Sequence, residues 1–286
     1  MSKLSKDLKT LCIRNADGSH ATQAARFLVL QQCARELRSC GFNQLRAVNL
    51  KMKHVMCLVG QWQQTGLSAG TVKNRMAHVR WLAEKLGKAG MIPKENAQLG
   101  IAERQFANTE NKAQELDGRL DRVADPYVHM SLQLQAAFGL RREEAIKIKP
   151  SIADRGQALA LQASWCKGGR ERAIPILTAG QRAALDAAHA LAGQGSLIPA
   201  DKSYVKQQRA YDAQTKAAGL ANMHGLRHQY AQGRYEALAG WKCPKAGGPS
   251  RSTLKGTGRE IDRQARLTIS RELGHSRLAI VANYIG

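Results

Sequence analysis

Residues 158–176 read ALALQASWCKGGRERAIPI. Two short strand-like runs, 158–165 and 171–176, flank Cys166-Lys-Gly-Gly-Arg170, where paired glycines allow the chain to reverse. This predicts a small β-hairpin. On both sides the apolar residues recur at helical spacing instead, so the expected fold class is mainly α with one small hairpin or sheet.

Downstream, helices are expected over 181–191, about 202–217, 224–239, 259–273 and from about 278. Between them, 241–258 carries Pro244, Gly247, Gly248, Pro249, Gly256 and Gly258, and reads as a mobile loop. Upstream, Asp125-Pro126 is an N-cap followed by proline at the first helical position, opening an apolar helix to Gly139; a second helix begins at Arg141.

Residues 101–119 are polar, with few apolar anchors, and read as an interdomain linker. The first hundred residues form a helical unit of their own. Helices are expected over 21–37, with a stripe of Ala25, Leu28, Val29, Cys33 and Leu37, and over 50–62, with Met52, Val55, Met56, Val59 and Trp62. A third, capped by Thr71, lines up Val72, Met76, Val79, Leu82 and Leu86. The expected domains are therefore 1–105, a linker at 106–118, and 119–286.

The 286 residues carry 44 Lys+Arg against 22 Asp+Glu, a formal charge of +22 and a pI near 10.2. Such self-repulsion suits a protein that grips a polyanion and releases its condensed counterions, so double-stranded DNA is the leading partner. Lys73, Arg75 and Arg80 on the third helix, Arg142, and Lys242 and Lys245 in the 241–258 segment are the candidate DNA contacts. The polar, basic N-terminus has no apolar core, and no window has the length of a membrane span, which points to no membrane partner and a cytoplasmic, nucleoid-associated protein. Six scattered cysteines lack zinc-ligand spacing and read as reduced thiols, so no metal is expected. There is no GxxxxGK[ST] loop, which disfavours an ATP-driven motor and leaves no cofactor implied.

Four segments hold the candidate chemistry: Gly139-Leu-Arg141 with Glu144, Lys167 in the hairpin turn, His224-Gly-Leu-Arg227-His228, and Leu273-Gly-His275-Ser276 followed by Tyr284. Each alone has an ordinary structural reading, but their joint order resembles the tyrosine recombinase, or phage-type integrase, family. That resemblance implies catalytic roles for Arg141, Lys167, His224, Arg227, His275 and Tyr284. It also implies an N-terminal helical (SAM-like) core-binding domain, to which Leu67-Ser-Ala-Gly-Thr-Val-Lys-Asn-Arg75 is similar, ahead of a mixed α+β catalytic domain. A homo-tetramer on paired DNA sites, with room for accessory DNA-bending proteins, follows from the same likeness.

The chemistry of these side chains agrees. Charge grows on the non-bridging oxygens of a phosphodiester under attack, and paired guanidinium groups such as Arg141 and Arg227 bind them with charge-assisted hydrogen bonds. A phenol, with a reference pKa of about 10, needs a base or an electropositive site at neutral pH, which His224 can provide for Tyr284. Lys167 can protonate the departing 5′-oxygen, and His275 can donate a hydrogen bond to the phosphate. Glu144 is read as a support for the arginine box. Arg142 is read as an exposed charge or phosphate contact, His228 as packing beneath the site, and Trp62, Trp81 and Trp165 as core.

Two departures from the family pattern stand out. His224 and His275 lie farther apart than in most members because of the 241–258 segment, and only Ile285 and Gly286 follow Tyr284. The expectation for the latter is either a longer natural chain or a different route of subunit communication. Site-specific recombination by a mobile element's integrase, through a 3′-phosphotyrosine, is the leading functional reading. A type IB topoisomerase-like activity and a non-catalytic DNA-binding regulator are the alternatives.

Overall fold

The computed structural model describes residues 2–104 and 110–286, in two compact units, Met1–Gln105 and Phe106–Gly286. In the first unit four helices pack around one apolar core: α1 (Lys3–Arg14), α2 (His20–Ser39), α3 (Met52–Gln64) and α4 (Ala69–Lys85). Ser2, Ser19 and Ser68 cap three of them by accepting from the backbone N–H three residues on.

The α1 helix was not expected, since its polar composition hides the two leucines, Leu4 and Leu8, that it buries. The α4 stripe of Val72, Met76, Val79 and Leu82 is buried as predicted. The face of α2 is rotated from the expected one: Leu28 is 66% exposed, while Leu30, Cys33, Ala34 and Leu37 enter the core. Met56 in α3 likewise points outward, and Leu58 takes the inner position.

The second unit begins with a stretch read from sequence as linker. Residues 105–109 lie outside the described residues, but 111–115 are attached to the body of the unit. Gln114 N–H donates to the Gly225 carbonyl (3.1 Å), Asn111 pairs with Gln232, and Gln229 donates to Glu115 (2.6 Å). Gly225 has no room for a side chain, because a Cβ there would lie 2.6 Å from the Lys112 carbonyl oxygen.

Next come α5 (Pro126–Phe138), capped by Asp125 with proline at its start as expected, α6 (Arg142–Lys147) and α7 (Pro150–Ala153). Strands β1 (Ala158–Leu161) and β2 (Arg172–Pro175) pair antiparallel with Leu159 opposite Ile174. The hairpin is real but β1 stops early: Ala163–Trp165 turn as a 3-10 segment that buries Trp165. Five helices complete the unit: α8 (Ala179–Ala192), α9 (Tyr204–Ala217), α10 (Gly225–Ala239), α11 (Gly256–Glu272) and α12 (Ala282–Ile285).

The 241–258 segment, expected to be a mobile loop, is folded against the unit. It makes a 3-10 turn at Pro244–Ala246, buries Cys243 completely, and supplies the first residues of α11. Among the described residues, no helix is long and apolar enough to cross a membrane.

Candidate active site

Three connections and one helix end bring the motif residues together. Arg141 is the N-cap of α6, just after the left-handed Gly139 that ends α5. Gly139 is required there, since a Cβ would fall 2.5 Å from the Tyr230 ring. Glu144, three residues into α6, reaches back to accept from the Arg141 backbone N–H (2.7 Å) and from its guanidinium Nη1 (2.7 Å).

His224 precedes α10, placing Arg227 and His228 in its first turn. Arg227 is completely buried, and its cost of burial is offset by partners on every side. Nη1 donates to the Gly139 carbonyl, Nη2 to the Leu273 carbonyl, and Nε to the phenol oxygen of Tyr284 at 3.4 Å. Arg141 Nη2 reaches the same Leu273 carbonyl at 3.4 Å, so both guanidinium groups converge on one oxygen.

Tyr284, on α12, is enclosed by three imidazoles: its ring lies 4.5 Å from that of His228, 5.3 Å from His275 in a stacked arrangement, and 5.9 Å from His224. Its oxygen is 3.3 Å from His224 Nε2. Burial, with Arg227 and Arg141 nearby, lowers the pKa of His224, which keeps that ring neutral and able to accept the phenol proton. The same causes, burial first and then Arg227 and Arg141, bring His275 down to about 3. A neutral His275 has a single N–H to give. Its Nε2 lies 3.5 Å from Arg227 Nη2, while its buried Nδ1 has no hydrogen-bond partner among the described residues. His228 is also lowered, to about 4, by burial and then by His224 and Lys245.

Five of the six predicted catalytic residues thus share one cluster. Lys167 does not join it: the lysine is exposed on the β1–β2 connection beside the left-handed Gly168 and Gly169, and among the described residues its ammonium has no bonded partner.

Sequence reading missed Arg172. This residue of β2 is the second cation on Glu144, with Nη1 to Oε1 at 3.0 Å and Nη2 to Oε2 at 2.7 Å, and its Nε donates to the Glu272 carbonyl (2.8 Å) at the end of α11. It therefore ties the hairpin to the arginine box and to the turn that carries His275. Burial would raise the Glu144 carboxyl, but the two arginines outweigh it and hold the group at about 2. The signal was present as a charged residue on the inward side of a short strand, five positions after Lys167.

The candidate DNA contacts differ in what occupies them. Arg75 donates to Glu36 (3.4 Å) and lies over Trp62, and Arg80 donates to the Pro93 carbonyl and Asn96, so both fasten the first unit internally. Arg142 pairs with Asp212 (2.5 Å), and Lys245 donates to the Asn283 carbonyl (2.8 Å). Lys73 and Lys242 have no bonded partner among the described residues. Trp81, read as core, is only half-buried; it donates to Asp17 and lies beneath Arg26.

Comparisons with known proteins follow the same division. The family described as "Phage integrase, N-terminal" matches residues 1–92 and that described as "Integrase" matches residues 100–233. No curated protein matches the chain by sequence. Among solved structures, a lambda integrase dimer bound to a COC' core site is 15% identical, with a TM-score of 0.63 over 98% of this chain and 77% of its own. The Tn1549 transposon integrase in complex with circular intermediate DNA is 13% identical, with a TM-score of 0.55 over 100% of this chain and 96% of its own. The XerH site-specific recombinase bound to difH substrate is 14% identical, with a TM-score of 0.57 over 99% and 81%. With both family matches falling on the two units in order, and with the fold shared, the chain belongs to the phage-type integrase family of tyrosine recombinases.

Proposed function

We propose that this chain breaks and rejoins double-stranded DNA at specific sites, as an integrase of a mobile element, through a covalent 3′-phosphotyrosine on Tyr284. The observation that carries the reading is the Tyr284 oxygen, held 3.3 Å from a neutral-leaning His224 and 3.4 Å from the buried Arg227 guanidinium.

The steps follow from the groups at hand. The Tyr284 oxygen attacks phosphorus while its proton passes to His224 Nε2; a bond to the phenol oxygen forms and the bond to the 5′-oxygen breaks. Arg141 and Arg227, already drawn to one carbonyl oxygen, bind the non-bridging oxygens, where negative charge increases. His275 gives its single N–H to the same phosphate. Lys167, exposed on the hairpin turn, swings to the 5′-oxygen and delivers the proton it needs to leave. Rejoining reverses each transfer, with the phosphotyrosine conserving the bond.

The remaining basic surface grips the sugar-phosphate backbone without reading sequence. A lambda integrase tetramer bound to a Holliday junction is among the structural relatives, and we extend to this chain a homo-tetramer on paired sites, assisted by DNA-bending proteins and working where cytoplasmic DNA lies.

The test is a DNA duplex nicked near its cross-over point, so that the cleaved piece diffuses away and the covalent adduct accumulates. The protein should form a 3′-linked adduct on its own site, and Tyr284→Phe should form none. Absence of the adduct, or its persistence in Tyr284→Phe, overturns the assignment. Relaxation of supercoiled plasmid lacking any site would instead indicate the topoisomerase-like alternative.

A further inference from the structure

We propose that the turn at residues 243–248 is a clasp for the helix that bears the nucleophile, and that Lys245 positions Tyr284 instead of gripping DNA; the role of Tyr284 in this rests on the recombinase reading above.

The turn is rigidly closed. The Cys243 carbonyl accepts from Ala246 N–H and Gly248 N–H (both 2.9 Å), and the Pro244 carbonyl from Gly247 N–H (3.1 Å). Gly247 is left-handed (φ +89), and a Cβ on Gly248 would stand 1.6 Å from the Lys242 carbonyl oxygen, so no other residue allows this closure. The inner side of the turn is apolar: Cys243 shares one buried cluster with Val281, Tyr284 and Ile285.

What the turn holds cannot hold itself. Helix α12 has four residues, too few for stability on its own, and its later carbonyls have no partner within the helix. Side chains from elsewhere meet them. Lys245 Nζ donates to the Asn283 carbonyl (2.8 Å), and Gln232 Nε2, from α10, donates to the Tyr284 carbonyl (3.0 Å). A cation at a helix C-terminus also matches its dipole. Lys245 is half-buried, and burial together with Lys112 lowers its pKa, the signature of an ammonium withdrawn from water. Lys242, three residues away, is half-buried like Lys245 but has no bonded partner among the described residues, and serves as the contrasting case.

Three measurements on the full chain decide the matter: the salt dependence of DNA affinity, the single-turnover cleavage rate on the nicked duplex at saturating protein, and amide hydrogen exchange of peptides covering 281–286. Lys245→Met, which keeps the apolar stem, should leave the salt slope unchanged, accelerate exchange in 281–286, and slow cleavage by about tenfold to 100-fold, the range a displaced reacting group produces. Lys242→Ala should lower the salt slope by about 1 and leave exchange in 281–286 as in the parent. A Lys245→Met protein that loses salt slope, or whose exchange in 281–286 matches the parent, overturns the clasp. If the parent protein itself forms no adduct, the recombinase reading fails, and the exchange comparison still decides the clasp.

Discussion

Arg172 and Glu144 face each other as a two-pronged ion pair, at 3.0 and 2.7 Å, with Arg141 on the same carboxylate. Glu144 is fully buried and the Arg172 side chain nearly so. Removing Arg172 leaves that buried charge with Arg141 as its one remaining cation, which costs up to about 3–5 kcal/mol. Arg172→Ala should therefore lower the melting temperature by roughly 10 °C. It should also slow cleavage, because Arg141 and the Glu272 carbonyl lose a common anchor. Arg172→Lys should recover part of both. Calorimetry and the single-turnover assay check this; a variant that melts and cleaves like the parent contradicts it.

Arg141 and Arg227 should separate in their effects. Arg227 is completely buried and its removal orphans the Gly139 carbonyl and leaves the Leu273 carbonyl only the long contact from Arg141, so Arg227→Ala should cost stability as well as chemistry. Arg141 keeps about a quarter of its side chain in solvent, at 24%. Arg141→Ala should lower the cleavage rate by about 10²–10³ while DNA affinity remains near that of the parent. Parallel melting curves and filter-binding titrations distinguish the two.

Lys167 is exposed to solvent, so Lys167→Ala should leave the melting temperature unchanged while slowing cleavage by about 10²-fold or more. A substrate with sulfur in place of the bridging 5′-oxygen has a leaving group that needs no proton. It should restore the variant's rate to that of the parent. Equal slowing on both substrates would remove Lys167 from the acid role.

Acid should unfold the second unit in two stages. His228 and His275 have folded pKa values of about 4 and about 3, below the 6.5 of the free side chain. The unfolded chain therefore takes up protons first, and stability is full above pH 6.5 and falls as pH drops through 4 toward 3. Glu144, held at about 2 against 4.5, adds a loss that begins near pH 4.5 and is complete below 2. Denaturant titrations between pH 7 and 3 should show His228→Gln flattening the upper stage and Glu144→Gln the lower; unchanged slopes would remove these groups from the account.

Much of the fold is legible along the chain because each unit writes its own pattern. The α4 stripe and the Asp125-Pro126 cap are local signals, settled within one or two turns of helix. The α2 face and the α1 helix are not: Leu28 and Leu30 are equally apolar, and only a partner helix decides which one is covered. At the site, the motif order locates five residues that the structure brings into one cluster. Arg172 escapes because its meaning lies in a carboxylate 28 positions away, a distance no local pattern spans. The contact of Lys245 is hidden for the complementary reason: a lysine among glycines and prolines has the composition of a solvated loop, whereas its partner is a carbonyl 38 positions later.

The lack of space at Gly225 bears on how the protein can be dissected. Residues 111–115 lie against the first turn of α10, the turn that also presents Arg227 and His228. A fragment cut at 119, the boundary suggested by composition, would uncover the Gly225 carbonyl and free Gln232, one of the side chains that hold the Tyr284 carbonyl. The smallest autonomous catalytic piece therefore starts ahead of Asn111, and the apparent connector is part of the enzyme's own scaffold.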